Sequence, residues 1–148
     1  MLEDIVSMSV LLVYIIPAGL YFYTNNTREI VALVGVLGTG LISEGIKYGI
    51  VKEYSVRPKG AHGCDMWCLH EYEEGKPGMP SGHSSMATFF AGYYFNESDS
   101  WIQFALILFA ISVMISRYTK RCHSIPQIVA GGLFGLAMSQ FVKHLEVR

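Results

Sequence analysis

Four long apolar stretches, residues 5–23, 30–51, 101–116 and 125–142, leave this chain few ways to fold. Inside a bilayer each backbone N–H and C=O must be satisfied within its own segment or in a closed barrel, so unbroken apolar runs of this length are expected as helices. A hydrocarbon core of about 30 Å takes roughly 20 helical residues. The first two runs meet that length and the last two come close. A mean hydropathy of +0.35 agrees with a membrane-embedded chain, as does a charged content of 16%. The expectation is an all-α multispan helix bundle of about five spans, forming a single domain over residues 1–148.

A shorter apolar run, residues 83–95, third in chain order, is the exception. At 1.5 Å per residue its dozen or so residues rise only about 20 Å. Its opening, Pro80-Ser81-Gly82-His83, is therefore expected below the membrane surface, in a recess walled by neighbouring helices. The N-terminus, Met1-Leu2-Glu3-Asp4, is acidic where a cleavable signal would be basic, so the first run is expected to stay as a span. A net charge of −1 with no basic tail argues against a nucleic-acid partner.

Crossing parity then groups residues that are far apart in sequence. Arg57 follows the second span and Pro80 opens the third, so both face one side. The third run crosses away, the fourth returns and ends at Ser116-Arg117, and the fifth starts just after His123. Arg57, Ser81, His83, Arg117 and His123 are thus expected on one membrane face. The connection between the second and third runs, residues 53–80, is long enough to suggest a functional loop.

Those residue types suit phosphate chemistry. Arginine presents a planar fork of donors that matches phosphate oxygens and keeps its charge in a partly desolvated recess. A helix start offers free N–H groups, which Ser81, Gly82 and His83 would supply, and a glycine lets an anion come close. One histidine can attack phosphorus as neutral imidazole while the other protonates the leaving oxygen and then activates water. Gln127, four residues after His123, stands one helical turn away and can hold the other ring nitrogen.

Arg57-Pro58, then Pro80-Ser81-Gly82-His83, then Ser116-Arg117 followed by His123 and Gln127, resemble the three signature segments of the type 2 phosphatidic acid phosphatase (PAP2) superfamily. The resemblance covers about residues 40 to 130. It implies that His123 is the nucleophile, His83 the general acid, and Arg57, Ser81, Gly82 and Arg117 the phosphate binders. The family's lysine, seven residues before the arginine, has no counterpart, because position 50 is Ile. Lys52, at the membrane edge, is the expected replacement, with Lys47 as the alternative. Gln127 stands where most members carry Asp. Together with Ser43-Glu44-Gly45 and Gly78-Met79 it resembles the dolichyl diphosphate phosphatases.

The resemblance therefore implies an integral-membrane hydrolase that acts on a polyprenyl diphosphate through a phosphohistidine, with no metal and no cofactor. Its partners would be the lipid substrate and the bilayer. Phosphatidate or another lipid phosphate is the alternative substrate, and a catalytically weak binding or scaffold protein the alternative class. Such enzymes usually have six spans, so the first family helix is expected to be missing.

Several features have plainer readings. Glu44 and Lys47 can pair at i, i+3, and a structural ion pair is as good a reading as a functional role for charges inside the membrane. Gly45 with Gly49, and Gly131 with Gly135, read as helix-packing faces. Phe89, Phe90, Tyr93 and Tyr94 read as packing or an interfacial belt. Lys120 and Arg121 read as interfacial anchors. Cys64 and Cys68, with His62 and His70, have a zinc-like look, but a loop disulfide or free thiols are favoured, and Cys122 reads as filler. The sequons at Asn25 and Asn96 fall on the non-catalytic side.

Overall fold

The computed structural model describes residues 2–68 and 72–146, so His70 and Glu71 of the expected loop features lie outside the described residues. The chain is helical: α1 (Leu2–Met8), α2 (Leu12–Thr24), α3 (Thr27–Ile46), α4 (Gly82–Phe95), α5 (Ser100–Thr119) and α6 (Ile125–Glu146). A 3₁₀ turn at Ser9–Leu11 joins α1 to α2, making Leu2–Thr24 one run long and apolar enough to cross a membrane. Among the described residues, Thr27–Tyr54, Ser100–Thr119 and Ile125–Glu146 are the others. Several of these extend beyond the apolar runs, because a helix continues through polar residues once its core face is packed.

The α4 helix has 14 residues, too few to span, and the bundle closes around it. Gly82 to Ala91 and Tyr93 are all buried. Its partners are α3, α5 and above all α6. The α4–α6 contact depends on absent side chains: a Cβ on Gly131 would stand 2.5 Å from the Ser81 carbonyl oxygen, and one on Gly135 would collide with the Ser85 carbonyl and the Thr88 hydroxyl. Gly45 and Gly49 meet nothing within 4 Å, so the packing face expected for that pair does not form. Phe89 lies against Gly35, and Phe89 and Tyr93 belong to the core with Val13, Val36, Met86 and Val113.

At the end of the bundle away from α4's start, polar contacts tie α3, α4 and α6. Arg28 pairs with Glu97 and lies over the rings of Tyr93 and Tyr94. Tyr94 donates to Glu29, and Tyr93 donates to Glu146 at 2.6 Å. Asn26 of the first sequon caps α3, accepting from the Arg28 N–H at 3.0 Å.

The long connection doubles back as a strap. Arg57 N–H donates to the Lys76 carbonyl at 2.8 Å and Glu73 N–H to the Ala61 carbonyl at 2.9 Å, so two antiparallel bridges form, Val56 with Pro77 and His62 with Tyr72. Glu74 accepts from Gly60 N–H at 2.9 Å and from the Tyr72 hydroxyl at 2.8 Å, and these bonds hold its carboxyl below the ordinary range.

The cysteine pairing differs from expectation. Cys64 is bonded to Cys122, with Cα atoms 5.4 Å apart, and Cys68 is a buried free thiol. The bond joins the strap to the turn between α5 and α6, and it takes Cys64 out of any metal set. The sequence left a loop disulfide or free thiols open at Cys64 and Cys68 and took Cys122 as filler; the folded strap instead brings Cys64 to Cys122.

Candidate active site

Where α4 begins, a cavity of about 350 Å³ is walled by Lys47, Arg57, Gly82, His83 and His123, with Glu44, Asp65 and Glu73 among them. Leu37, Leu41 and Met86, with Tyr14, add apolar surface to its lining. Of the sequence-predicted cluster, Arg57, His83 and His123 line this space, whereas Ser81 and Arg117 do not. Ser81 caps α4 from outside it: the hydroxyl accepts from Ser84 N–H at 3.4 Å and from the Ser84 hydroxyl at 2.9 Å. The Ser81 N–H donates to the Gln127 carbonyl at 3.0 Å, which fixes α4's start against α6.

Arg57 reaches the cavity from the strap, and its Nη2 lies 3.2 Å from Glu73 Oε2. Arg117, on the last turn of α5, is fully buried; it donates to Ser7 Oγ of α1 and to the Cys64 carbonyl. Among the described residues, Arg57 Nε and Nη1, Arg117 Nε, His83 Nε2 and Ser43 Oγ are buried with no hydrogen-bond partner. Orphaned buried polar atoms are rare in folded chains; Arg57 and His83 line the cavity, and Arg28 Nη2, at the other end of the bundle, is a further such atom. The atoms on Arg57, Arg117 and His83 come from two guanidinium groups and an imidazole, which together suit a phosphate.

His123 is buried, and its Nδ1 lies 3.3 Å from Gln127 Oε1. Burial pushes its imidazole well below the ordinary value, the charges of Arg57, Arg117 and Lys47 press the same way, and the Gln127 contact opposes them. A neutral imidazole with one nitrogen held is the form a nucleophile needs.

The lysine expected at 52 is not in this group. Lys52 is exposed at φ 47°, beside a separate depression with Glu53 and Tyr54. Lys47, at 2% exposure, lines the cavity and pairs with Glu44. A π-helical segment, Lys47–Val51, begins there. Lys52 lies just beyond this segment, at its C-cap. Lys120 is also buried instead of interfacial, bonded to the Gly63 carbonyl at 2.9 Å and paired with Asp4 at 2.8 Å.

Sequence reasoning did not find Ser7, Glu73 or the Cys64–Cys122 bond. Glu73 showed only as part of an acidic patch. Ser7 carries no signal, since its partner lies 110 positions away.

The family model of the PAP2 superfamily matches residues 28–148. No curated protein matches the chain. Among solved structures, the crystal structure of a transmembrane PAP2-type phosphatidylglycerolphosphate phosphatase from Bacillus subtilis is similar, with a TM-score of 0.69 and 24% sequence identity. The match covers 92% of this chain and 67% of that one.

Proposed function

This chain belongs to the PAP2 superfamily, and from that premise we propose that it is an integral-membrane lipid phosphatase working through a phosphohistidine on His123. The observation that carries the reading is the set of buried, unpartnered nitrogens on Arg57 and His83, which line the cavity with His123, together with the one on buried Arg117.

In this reading Arg57, Arg117, Lys47 and the N–H groups of Gly82 and His83 hold the phosphate. His123 Nε2 attacks the terminal phosphorus, and the P–N bond forms as that phosphorus parts from the leaving oxygen. This oxygen belongs to the lipid monophosphate when the substrate is a diphosphate and to the lipid alcohol when it is a monophosphate, and protonated His83 gives its proton to it. Water then attacks the phosphohistidine, the P–N bond breaks, and His83 takes a proton from the water. Phosphate leaves and the imidazole is restored. Ser81 contributes by capping α4, which aims those N–H groups. Charge neutralisation rests on protein cations, so turnover should continue in EDTA.

A lipid substrate fits the apolar surface that Leu37, Leu41 and Met86 add to the lining of the charged cavity. Polyprenyl diphosphate is the leading substrate, on the strength of Gln127, Ser43-Glu44-Gly45 and Gly78-Met79. The second reading is phosphatidylglycerolphosphate, which the Bacillus subtilis protein's name carries, or phosphatidate. The test is phosphate release by purified protein in detergent with EDTA, comparing dolichyl diphosphate, phosphatidylglycerolphosphate and phosphatidate against His123→Ala. Release that vanishes in the variant supports the mechanism, and the lipid turned over fastest selects the substrate. No release above the variant on any lipid would favour a binding protein.

A further inference from the structure

The side chain of Gln127 uses every hydrogen-bonding position it has. Its amide nitrogen donates to the Val56 carbonyl at 2.8 Å and to Ser55 Oγ at 2.9 Å. Its oxygen accepts from Ser124 N–H at 3.1 Å and lies 3.3 Å from His123 Nδ1. An amide can in principle be turned end for end, but two backbone groups decide the matter here. A carbonyl can only accept and a backbone N–H can only donate, so the nitrogen must face Val56 and the oxygen Ser124. With that oxygen toward His123, Nδ1 carries the ring proton and Nε2 keeps its lone pair.

Two strap residues complete the holder. Ser55 accepts the second amide hydrogen, and its own carbonyl accepts from Gly78 N–H at 2.8 Å. Gly78 lies directly over the amide: a Cβ there would stand 2.7 Å from both Gln127 Oε1 and Nε2. Gln127 is 1% exposed, so water does not compete for these bonds.

We infer that Ser55 and Gly78 are positioning residues that, with the Val56 carbonyl, form a socket for a neutral amide at position 127 and through it set the tautomer of His123. The assignment builds on the phosphatase reading for its kinetic consequence, while the tautomer itself is independent of activity. The socket also discriminates against a carboxylate. Glutamate has the same length as glutamine, but its second oxygen would face the Val56 carbonyl oxygen with no proton between them.

The test uses the full chain in detergent micelles with ¹⁵N-labelled histidine, reading the His123 ring nitrogens by NMR without substrate and phosphate release with it. The wild type should show Nδ1 protonated and Nε2 bare. Ser55→Ala should mix the tautomers and lower kcat about tenfold with KM nearly unchanged, as loss of an orienting partner does, and Ser55→Thr should restore both readings. Gly78→Ala should displace the amide and give the larger kcat loss at equal protein thermal stability. Nε2 protonated in the wild type would overturn the socket, as would an unaltered His123 spectrum in Ser55→Ala. A loss in Ser55→Ala that appears in KM alone, or that threonine does not rescue, would also overturn it. A wild type that releases no phosphate from any lipid, yet changes tautomer in Ser55→Ala, would sink the phosphatase reading and leave the socket standing.

Discussion

Burial holds the His123 imidazole well below its ordinary value, with the charges of Arg57 and Arg117 pressing the same way. A depressed value keeps Nε2 unprotonated at pH values where a free imidazole is already cationic. The acid limb of kcat/KM should therefore lie below about 6.5, the ordinary histidine value. Arg57→Gln removes one of the depressing charges, so the limb should move toward higher pH as KM rises; a limb that moves lower would remove Arg57 from the neighbourhood of His123. Lys47 and Lys52 make a second contrast. Lys47→Ala should cost about 10- to 100-fold in kcat/KM, the worth of one charge-assisted bond to phosphate, whereas Lys52→Ala should leave it unchanged. Equal losses in the two variants would contradict the placement of Lys47 in the cavity. The histidines, arginines and Gln127 could be named from the sequence because they lie in three short segments whose order and spacing are readable along the chain. Lys47 was named only as the alternative to Lys52, because a place at the membrane edge says nothing of which lysine the folded helix turns into the cavity.

The α4–α6 pair decides where Pro80 to His83 sit. Gly131→Ala would press a methyl group onto the Ser81 carbonyl oxygen, an overpacking that should cost roughly 1–3 kcal/mol and lower the thermal midpoint. Gly45→Ala meets open space and should stabilise α3 by up to about 1 kcal/mol. Thermal unfolding in detergent that ranks the two variants the other way would overturn this account of the packing. The Gly131–Gly135 spacing was readable as a packing face, but the identical spacing at Gly45–Gly49 was equally readable and packs against nothing. Spacing shows that two backbones can approach; only the neighbouring helix determines whether they do. The burial of α4 was readable too, since a helix too short to span must be walled by others.

Across the whole molecule, the Cys64–Cys122 bond closes a loop of 58 residues and anchors the strap next to His123. In the chain-entropy account a loop of that length contributes about 4 kcal/mol. Cys64→Ser and the Cys64→Ser/Cys122→Ser double variant should lose the same stability, because either removes the same link; unequal losses would show the bond is not formed. Disulfides persist where thiols are oxidised, so the cavity face should lie on the oxidising side of its membrane. Alkylation of the unfolded protein with a maleimide polymer should add one label without reductant, at Cys68, and three with it. Three labels in both conditions would refute the bond in the cell. The apolar runs alone were enough to make this chain a helix bundle in a membrane, since a helix in lipid satisfies its backbone within its own segment. The ordered Pro80 to His83 and Arg117 to Gln127 segments were enough to point to phosphate. The bond of Cys64 to Cys122, the hold of Ser7 on Arg117 and the socket of Ser55 around Gln127 join positions 58, 110 and 72 apart. Such pairs leave no periodic trace along the chain, because each is selected by where packed helices bring their side chains, and so they emerge only with the fold.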